Sequence, residues 1–415
     1  MFSSIPPDLL RHIISLSGDT LKTVSLCRGV CKNWREALSV KAIKEFSDGI
    51  KYVEFIDVTL KNLNKYKYFL GSRTQYVFLE PFHYNDLRHF QIQIINWCSK
   101  SCPNLKEFKV YNGDFNDSLI LELVKSFPYL SSIWIGNSSI ITNESLVALA
   151  RCRNLKKLVF GFDSRKCSDN GFKMICQACS NLEQLFFFGR NYFTNESLRE
   201  ISKLKNLETL HSYKLPEQAL IEIARGCPKL KRVHCEMSDV SLLEFIQWCP
   251  EIVILDTIFT DVSLTAVANA YPNLEELELY EESRVSDASL SQVFQKCPKL
   301  KVFCFNRHEG KGGVPPFIVD LQTSFEYLER CQNLEYISIE NCRMPKDSYI
   351  SISKLKNLRV LDIYNCDNFD DSCYIKIVTE CKKLRIIRSD LPTTNLMQEC
   401  RDLHPNIKFL GGTWW

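Results

Sequence analysis

Apolar residues recur along most of the chain in a phrase that combines two periods. A short segment of the form Leu-x-x-Leu-x-Leu puts alternate side chains on one face of a strand. A stretch with apolar residues three and four apart then reads as an amphipathic helix. Cys227-Pro228-Lys229-Leu230, Cys249-Pro250-Glu251-Ile252 and Cys297-Pro298-Lys299-Leu300 open three such phrases. The fourth residue serves as a marker, at Leu105, Leu130, Leu155, Leu182, Leu207, Leu230, Ile252, Leu274, Leu300, Leu334, Leu358, Leu384 and Ile407. Gaps of 22 to 34 residues suit one strand plus one helix per unit. Three residues after each of the first twelve markers stand Phe108, Ile133, Leu158, Leu185, Leu210, Val233, Leu255, Leu277, Phe303, Ile337, Leu361 and Ile387, all apolar. Two residues further on, nine of twelve are apolar, the exceptions being Ser212, Thr257 and Ser389. Thr142-Asn143-Glu144-Ser145-Leu146 and Thr260-Asp261-Val262-Ser263-Leu264 begin the helical halves with N-cap residues.

This pattern closely resembles the cysteine-containing leucine-rich repeats, most fully at Leu358-Arg359-Val360-Leu361-Asp362-Ile363-Tyr364-Asn365-Cys366 followed by Asp370-Asp371-Ser372. The resemblance covers residues 103–411, about twelve units. It implies an α/β fold: a leucine-rich-repeat solenoid with a curved parallel sheet inside and helices outside. Only Cys342 and Cys366 occupy the family's usual strand-end position. Cys102, Cys152, Cys179, Cys227, Cys249, Cys297, Cys331 and Cys381 fall at the helix-to-strand turn, where a small thiol packs under the corner. The 19 cysteines in 415 residues are too sparse for a disulfide scaffold. Cys176-x-x-Cys179 lacks a second pair at zinc-site spacing, so no metal is expected.

Residues 5–38 carry a different pattern, three short helices. Pro6 and Pro7 lie in the first turn, Leu9, Leu10, Ile13 and Ile14 form an apolar stripe, and Val30-Cys31-Lys32-Asn33-Trp34 opens the third helix. Helices this short cannot close a core alone, so their apolar surface needs either the repeats or a partner. Ile5-Pro6-x-Asp8-Leu9-Leu10-x-x-Ile13-Ile14-Ser15 with Val30-Cys31-Lys32-x-Trp34 resembles an F-box, with Ile5 where leucine and Ile14 where phenylalanine is usual. The resemblance implies a three-helix F-box over residues 1–45 that docks a Skp-type adaptor and, through it, cullin and RING subunits. Pro6, Leu9, Leu10, Ile13, Ile14, Val30 and Trp34 are the adaptor-facing candidates. The competing reading makes these helices a cap on the repeats and the protein an interaction scaffold with no ubiquitin-ligase role.

Residues 46–102 read as a linker and degenerate first repeat, with a strand within Arg73–Leu79 and a helix from Leu87 to Trp97. Residues 412–415 form a tail ending in Trp414 and Trp415. In a leucine-rich solenoid the concave sheet face binds targets, and its outward positions lie two, four and six residues after each marker. Trp134, Phe186, Phe188, His211, Tyr213, Arg232, His234, Glu276, Glu278 and Tyr280 are therefore the target-binding candidates. Glu275, Glu276, Glu278, Glu281 and Glu282 make an acidic cluster suited to a basic target segment. His211 and His234 fall on adjacent strands. The 34-residue gap after Leu300 marks an insertion at Asn306–Pro316, which reads as an inert surface loop, with a substrate-contacting lid as the alternative.

Charge and composition narrow the partners. Lys and Arg number 52 against 49 acidic residues, a net charge of +3, which gives no reason to expect nucleic-acid binding. No run of eighteen apolar residues predicts a membrane span. Asp8 and Arg11 interrupt any leader-like apolar core, so a reducing compartment is expected, cytoplasmic or nuclear. The seven histidines share no nucleophile motif, and the outward positions offer no converging cations for a phosphate-rich cofactor. The expectation is a non-catalytic receptor without a cofactor, whose protein target the sequence does not name.

Overall fold

The computed structural model describes residues 52–56, 70–80, 87–110, 116–136, 141–161, 166–188, 193–280, 283–305, 319–390 and 394–411. The F-box-like segment with Pro6, Leu9, Leu10, Ile13, Ile14, Val30 and Trp34 lies outside the described residues. So do the insertion 306–316, Glu281, Glu282, Trp414 and Trp415. The chain divides into two compact units between Leu207 and Glu208.

The first unit alternates β1 (Tyr52–Ile56), β2 (Tyr76–Glu80), α1 (Leu87–Ser101), β3 (Glu107–Val110), α2 (Asp117–Ser126), β4 (Ser132–Ile135), α3 (Asn143–Leu149), β5 (Lys157–Gly161), α4 (Asp169–Ala178), β6 (Gln184–Phe188) and α5 (Asn195–Leu198). Each strand pairs in parallel with the next in chain order, from β1 to β6. The strand and helix expected before Leu105 are β2 and α1. Strand β1 carries no marker leucine and was not legible.

The second unit alternates β7 (Thr209–Lys214), α6 (Glu217–Gly226), β8 (Arg232–Glu236), α7 (Asp239–Trp248), β9 (Ile254–Thr257), α8 (Asp261–Ala270), β10 (Glu276–Leu279), α9 (Asp287–Lys296) and β11 (Val302–Phe305). It continues with β12 (Val319–Asp320), β13 (Tyr336–Glu340), β14 (Cys342–Arg343), α10 (Lys346–Ser353), β15 (Val360–Tyr364), α11 (Asp371–Glu380), β16 (Ile386–Ser389), α12 (Thr394–Leu403) and β17 (Lys408–Gly411). A parallel sheet runs β7-β8-β9-β10-β11-β13-β15-β16-β17. After the insertion, β12 pairs with β14 in a separate two-stranded sheet, and a 3-10 helix at Ser324–Arg330 replaces the α-helix of that repeat.

The predicted strand pattern is the register itself. Within each unit the residues three after the markers face one another across neighbouring strands, as in Phe108↔Ile133↔Leu158↔Leu185 and Leu255↔Leu277↔Phe303↔Ile337. All twelve are at most 1% exposed. Burying each contributes about 1.5–3 kcal/mol. The polar exceptions two residues on are also buried, and two have found work: Thr257 accepts the Met237 N–H at 2.9 Å, and Ser389 accepts the Tyr374 hydroxyl at 2.6 Å.

Two ladders join one repeat to the next. The corner cysteines are buried and free, and the thiols of Cys179, Cys249, Cys297, Cys331 and Cys381 donate to carbonyls of the preceding corner. Cys249 reaches Ala224 and Cys227 at 3.4 and 3.5 Å, and Cys381 reaches Ile352 and Ser353 at 3.6 and 3.4 Å. The second ladder runs along the helix N-termini. The Asp117 carboxylate accepts the Thr142 N–H and hydroxyl, each at 2.8 Å, and the Ser145 hydroxyl. Asp169 takes the same three groups from Thr194 and Ser197, and Asp261 and Asp287 accept from Ser286 and Thr323. Burial alone would push these four carboxyls up, yet the converging hydrogen bonds hold each below the usual range. Each carboxylate also sits at the positive end of its own helix.

Among the described residues, no helix is long and apolar enough to cross a membrane.

Candidate functional site

One sheet face packs on the helices and the other is open. Side chains four residues after the markers stand on the open face in a row across the strands. In the second unit β7 to β10 place His211, His234, Asp256 and Glu278 there, each in register with its neighbour. Parallel strands about 4.8 Å apart stack side chains at one level, and this spacing sets the chemistry. The His211 and His234 rings lie nearly parallel, 4.8 Å between centroids and 18° between planes. His234 Nδ1 lies 3.0 Å from Asp256 Oδ2.

A bulge shapes one wall. Between His211 and Lys214 strand β7 carries one residue more than β8, so Lys214, not Tyr213, faces Glu236 and pairs with it at 2.6 Å. Such an extra residue bends the strand and re-aims its side chains, and Tyr213 stands 76% exposed. Together with Tyr280, Ile258, Cys235, Thr257 and the row from His211 to Asp256, it lines a cavity of about 360 Å³.

Burial governs ionisation in this cavity. It pushes His211 down to about 4, aided by the charge of His234 and opposed by Asp256. Glu278, beside the cavity, is pushed up first by burial and then by the charge of Asp256. Tyr280 is raised by burial and by hydrogen bonding to Asp256, and its hydroxyl lies 3.4 Å from Glu278 Oε2. The Cys235 thiol is pushed up to about 12 by burial. A nucleophilic thiol needs the opposite shift.

The other candidates fall elsewhere. Glu276 is half-buried and Arg232 exposed, and neither lines the cavity. Glu275 pairs with Lys301 of the next repeat at 2.9 Å. Similar pairs join Lys156 to Glu183 and Lys231 to Glu208. Further along the row Asp362, 5% exposed, takes Arg388 Nη1 at 2.9 and 3.0 Å and the Tyr336 hydroxyl at 2.7 Å. Its charge is compensated there.

In the first unit Trp134 and Phe186 are half-buried, and lysines share their faces: Lys109 Nζ is 3.6 Å from the Trp134 ring, and Lys157 Nζ lies 5.6 and 5.7 Å from Trp134 and Phe186. These cation–π contacts use cross-strand neighbours that the candidate list omitted. The side chain of Phe188 lies outside the described residues. Among the described residues no group of three or more His, Cys, Asp or Glu could hold a metal ion.

The chain superposes on a chain of the yeast Rad7 and Elc1 complex with a TM-score of 0.59, over 98% of this chain and 91% of that one, at 14% identity. The likeness is one of fold, an α/β solenoid of leucine-rich-repeat type. A second solved structure, the TLR13–ssRNA13 complex, aligns over 82% of this repeat chain and 48% of its own, with TM-score 0.45 and 14% identity. No protein-family profile matches this chain. Over 141 residues, 33% of its length, it is 27% identical to F-box protein SKIP1 of Arabidopsis thaliana. The match takes in 47% of SKIP1, so the chain spans about half the length of this curated relative.

Proposed function

We propose that this chain is the substrate-recognition subunit of an SCF-type cullin-RING ubiquitin ligase. Residues 1–45 dock a Skp-type adaptor through Pro6, Leu9, Leu10, Ile13, Ile14, Val30 and Trp34, and the open sheet face binds the protein to be ubiquitinated. The subunit does no chemistry of its own; it raises the local concentration of target near a ubiquitin-charged enzyme. The observation that carries the reading is the 27% identity with an F-box protein, and the F-box-like residues at the N-terminus agree with it. The likeness to a chain of the Rad7 and Elc1 complex supports the repeat half.

The test is co-purification of the full chain with a Skp-type adaptor, beside the Leu9→Glu, Leu10→Glu double variant. The expected result is micromolar or tighter binding by the native chain and at least a tenfold loss in the variant, with unchanged circular dichroism. A folded native chain that shows no adaptor binding overturns the ligase role and leaves an interaction scaffold.

A further inference from the structure

We infer that the cavity on β7 to β10 receives the guanidinium of a single arginine side chain from the target. This deepens the reading above, and rests on it only for the ligand's being part of a protein.

Three observations converge. The cavity, about 360 Å³, has room for one long side chain rather than a helix or strand. Its charges are unbalanced: Asp256 and Glu278 stand in register on neighbouring strands. Of these, Asp256 has the His234 ring as partner, while Glu278 meets the Tyr280 hydroxyl at 3.4 Å and, among the described residues, no cation within ion-pair reach. A half-buried carboxylate beside a second one is costly unless a positive charge offsets it. Glu236, the remaining carboxylate at the rim, already holds Lys214.

The walls decide between cations. The His211 and His234 rings stack on one another, and beside them the Tyr213 and Tyr280 rings line the cavity. A planar guanidinium stacks on such faces and offers a fork of N–H donors to carboxylates, whereas an ammonium is a compact, strongly hydrated charge. With His211 held neutral, the wall does not repel the incoming charge. The Tyr336, Asp362 and Arg388 cluster further along the same sheet carries the same kinds of group, but there Arg388 is already in place. It shows within this chain the arrangement that an incoming arginine would complete at Asp256 and Glu278.

The probes are Nα-acetyl-arginine amide, its neutral isostere Nα-acetyl-citrulline amide, and Nα-acetyl-lysine amide, added to the full chain. The readout is the NMR signal of the His211 and His234 Cε1–H groups, assigned with single His→Gln variants. The arginine probe is expected to shift both signals saturably at millimolar concentration, with citrulline and lysine at least tenfold weaker. Glu278→Gln should weaken the arginine probe at least tenfold while leaving the circular dichroism of the free protein unchanged. No saturable shift, equal binding of citrulline, equal binding of lysine, or an unaffected Glu278→Gln variant each overturns the assignment. Adaptor binding measured on the same preparation reports separately on the ligase role, so the two readings fail independently.

Discussion

Replacing Asp117 by alanine tests whether the carboxylate ladder joins the repeats. The substitution removes the acceptor of three hydrogen bonds, from the Thr142 N–H, the Thr142 hydroxyl and the Ser145 hydroxyl. Thr142 is also the N-cap of α3, its hydroxyl accepting the Glu144 N–H at 3.2 Å, so the carboxylate orients the group that caps the next helix. Ser145 is fully buried, and a buried hydroxyl left without its partner costs about 1–3 kcal/mol. Water can reach the half-buried carboxylate position, so the bonds from Thr142 are partly replaced. Losing a negative charge at the N-terminus of α2 adds roughly 0.3–1 kcal/mol. The sum is a destabilisation of about 3 kcal/mol. For a unit of this size that lowers Tm by about 6–12 °C, with hydrogen exchange accelerated at the start of α3. Asp117→Asn keeps one acceptor and should lose about half as much.

The acid limb gives a second check. The Asp117 carboxyl lies below its ordinary value in the folded chain, so its contribution is fully present above about pH 4, the unfolded value. It disappears as pH falls through the folded value, and native and Asp117→Ala proteins should therefore converge in stability at acid pH. A loss under about 0.5 kcal/mol by urea titration at neutral pH, or a gap that widens on acidification, would refute the ladder.

Gly171→Ala should lower stability by about 1–3 kcal/mol despite alanine's higher helix propensity, because the new Cβ would meet Asn143 Oδ1 at 2.8 Å and Leu146 Cδ1 at 2.9 Å; an unchanged or raised Tm would show that α3 and α4 are not so closely packed. The His211 ring should remain neutral far below the ordinary histidine range, with an NMR midpoint near 4. Since its folded value is depressed, acid stability is lost between the unfolded value of about 6.5 and that midpoint, and His211→Gln should flatten this limb; a midpoint above 6 contradicts the burial described. Iodoacetamide at pH 8 should label Cys366, half-buried, ahead of the corner thiols such as Cys249 and Cys381, which burial pushes up to about 12; peptide mapping that finds Cys249 first would place the corner in solvent.

The strand half of each repeat was legible because its signal is local: Leu158 and Leu361 are buried for reasons written within six residues of their markers. The corner role of the cysteines was legible on the same grounds, and so was the adjacency of His211 and His234. The hydrogen bonds that thiols such as Cys249 and Cys381 send backwards were not, since they depend on the neighbouring corner. Asp117 and Thr142 are 25 residues apart, and nothing in either phrase says that one serves the other. The β7 bulge was equally silent, and it is why Tyr213 does not take the place opposite Glu236 that the spacing assigned to it. Glu275 read as one of five like charges, whereas its position one residue after the marker puts it beside Lys301 in the next repeat.

The carboxylate ladder has a direction. At Asp117, Asp169, Asp261 and Asp287 the acceptor belongs to the repeat that comes earlier in the chain, and the donors to the one that follows. A chain emerging N-terminus first therefore brings each new helix to an acceptor already made. Shortening the array from its C-terminal side within a unit strands a carboxylate, which water solvates readily. Removing repeats from the N-terminal side instead strips the acceptor from a helix start and leaves buried hydroxyls such as Ser145 unanswered. The two ends of each stack are thus unequal places to cut.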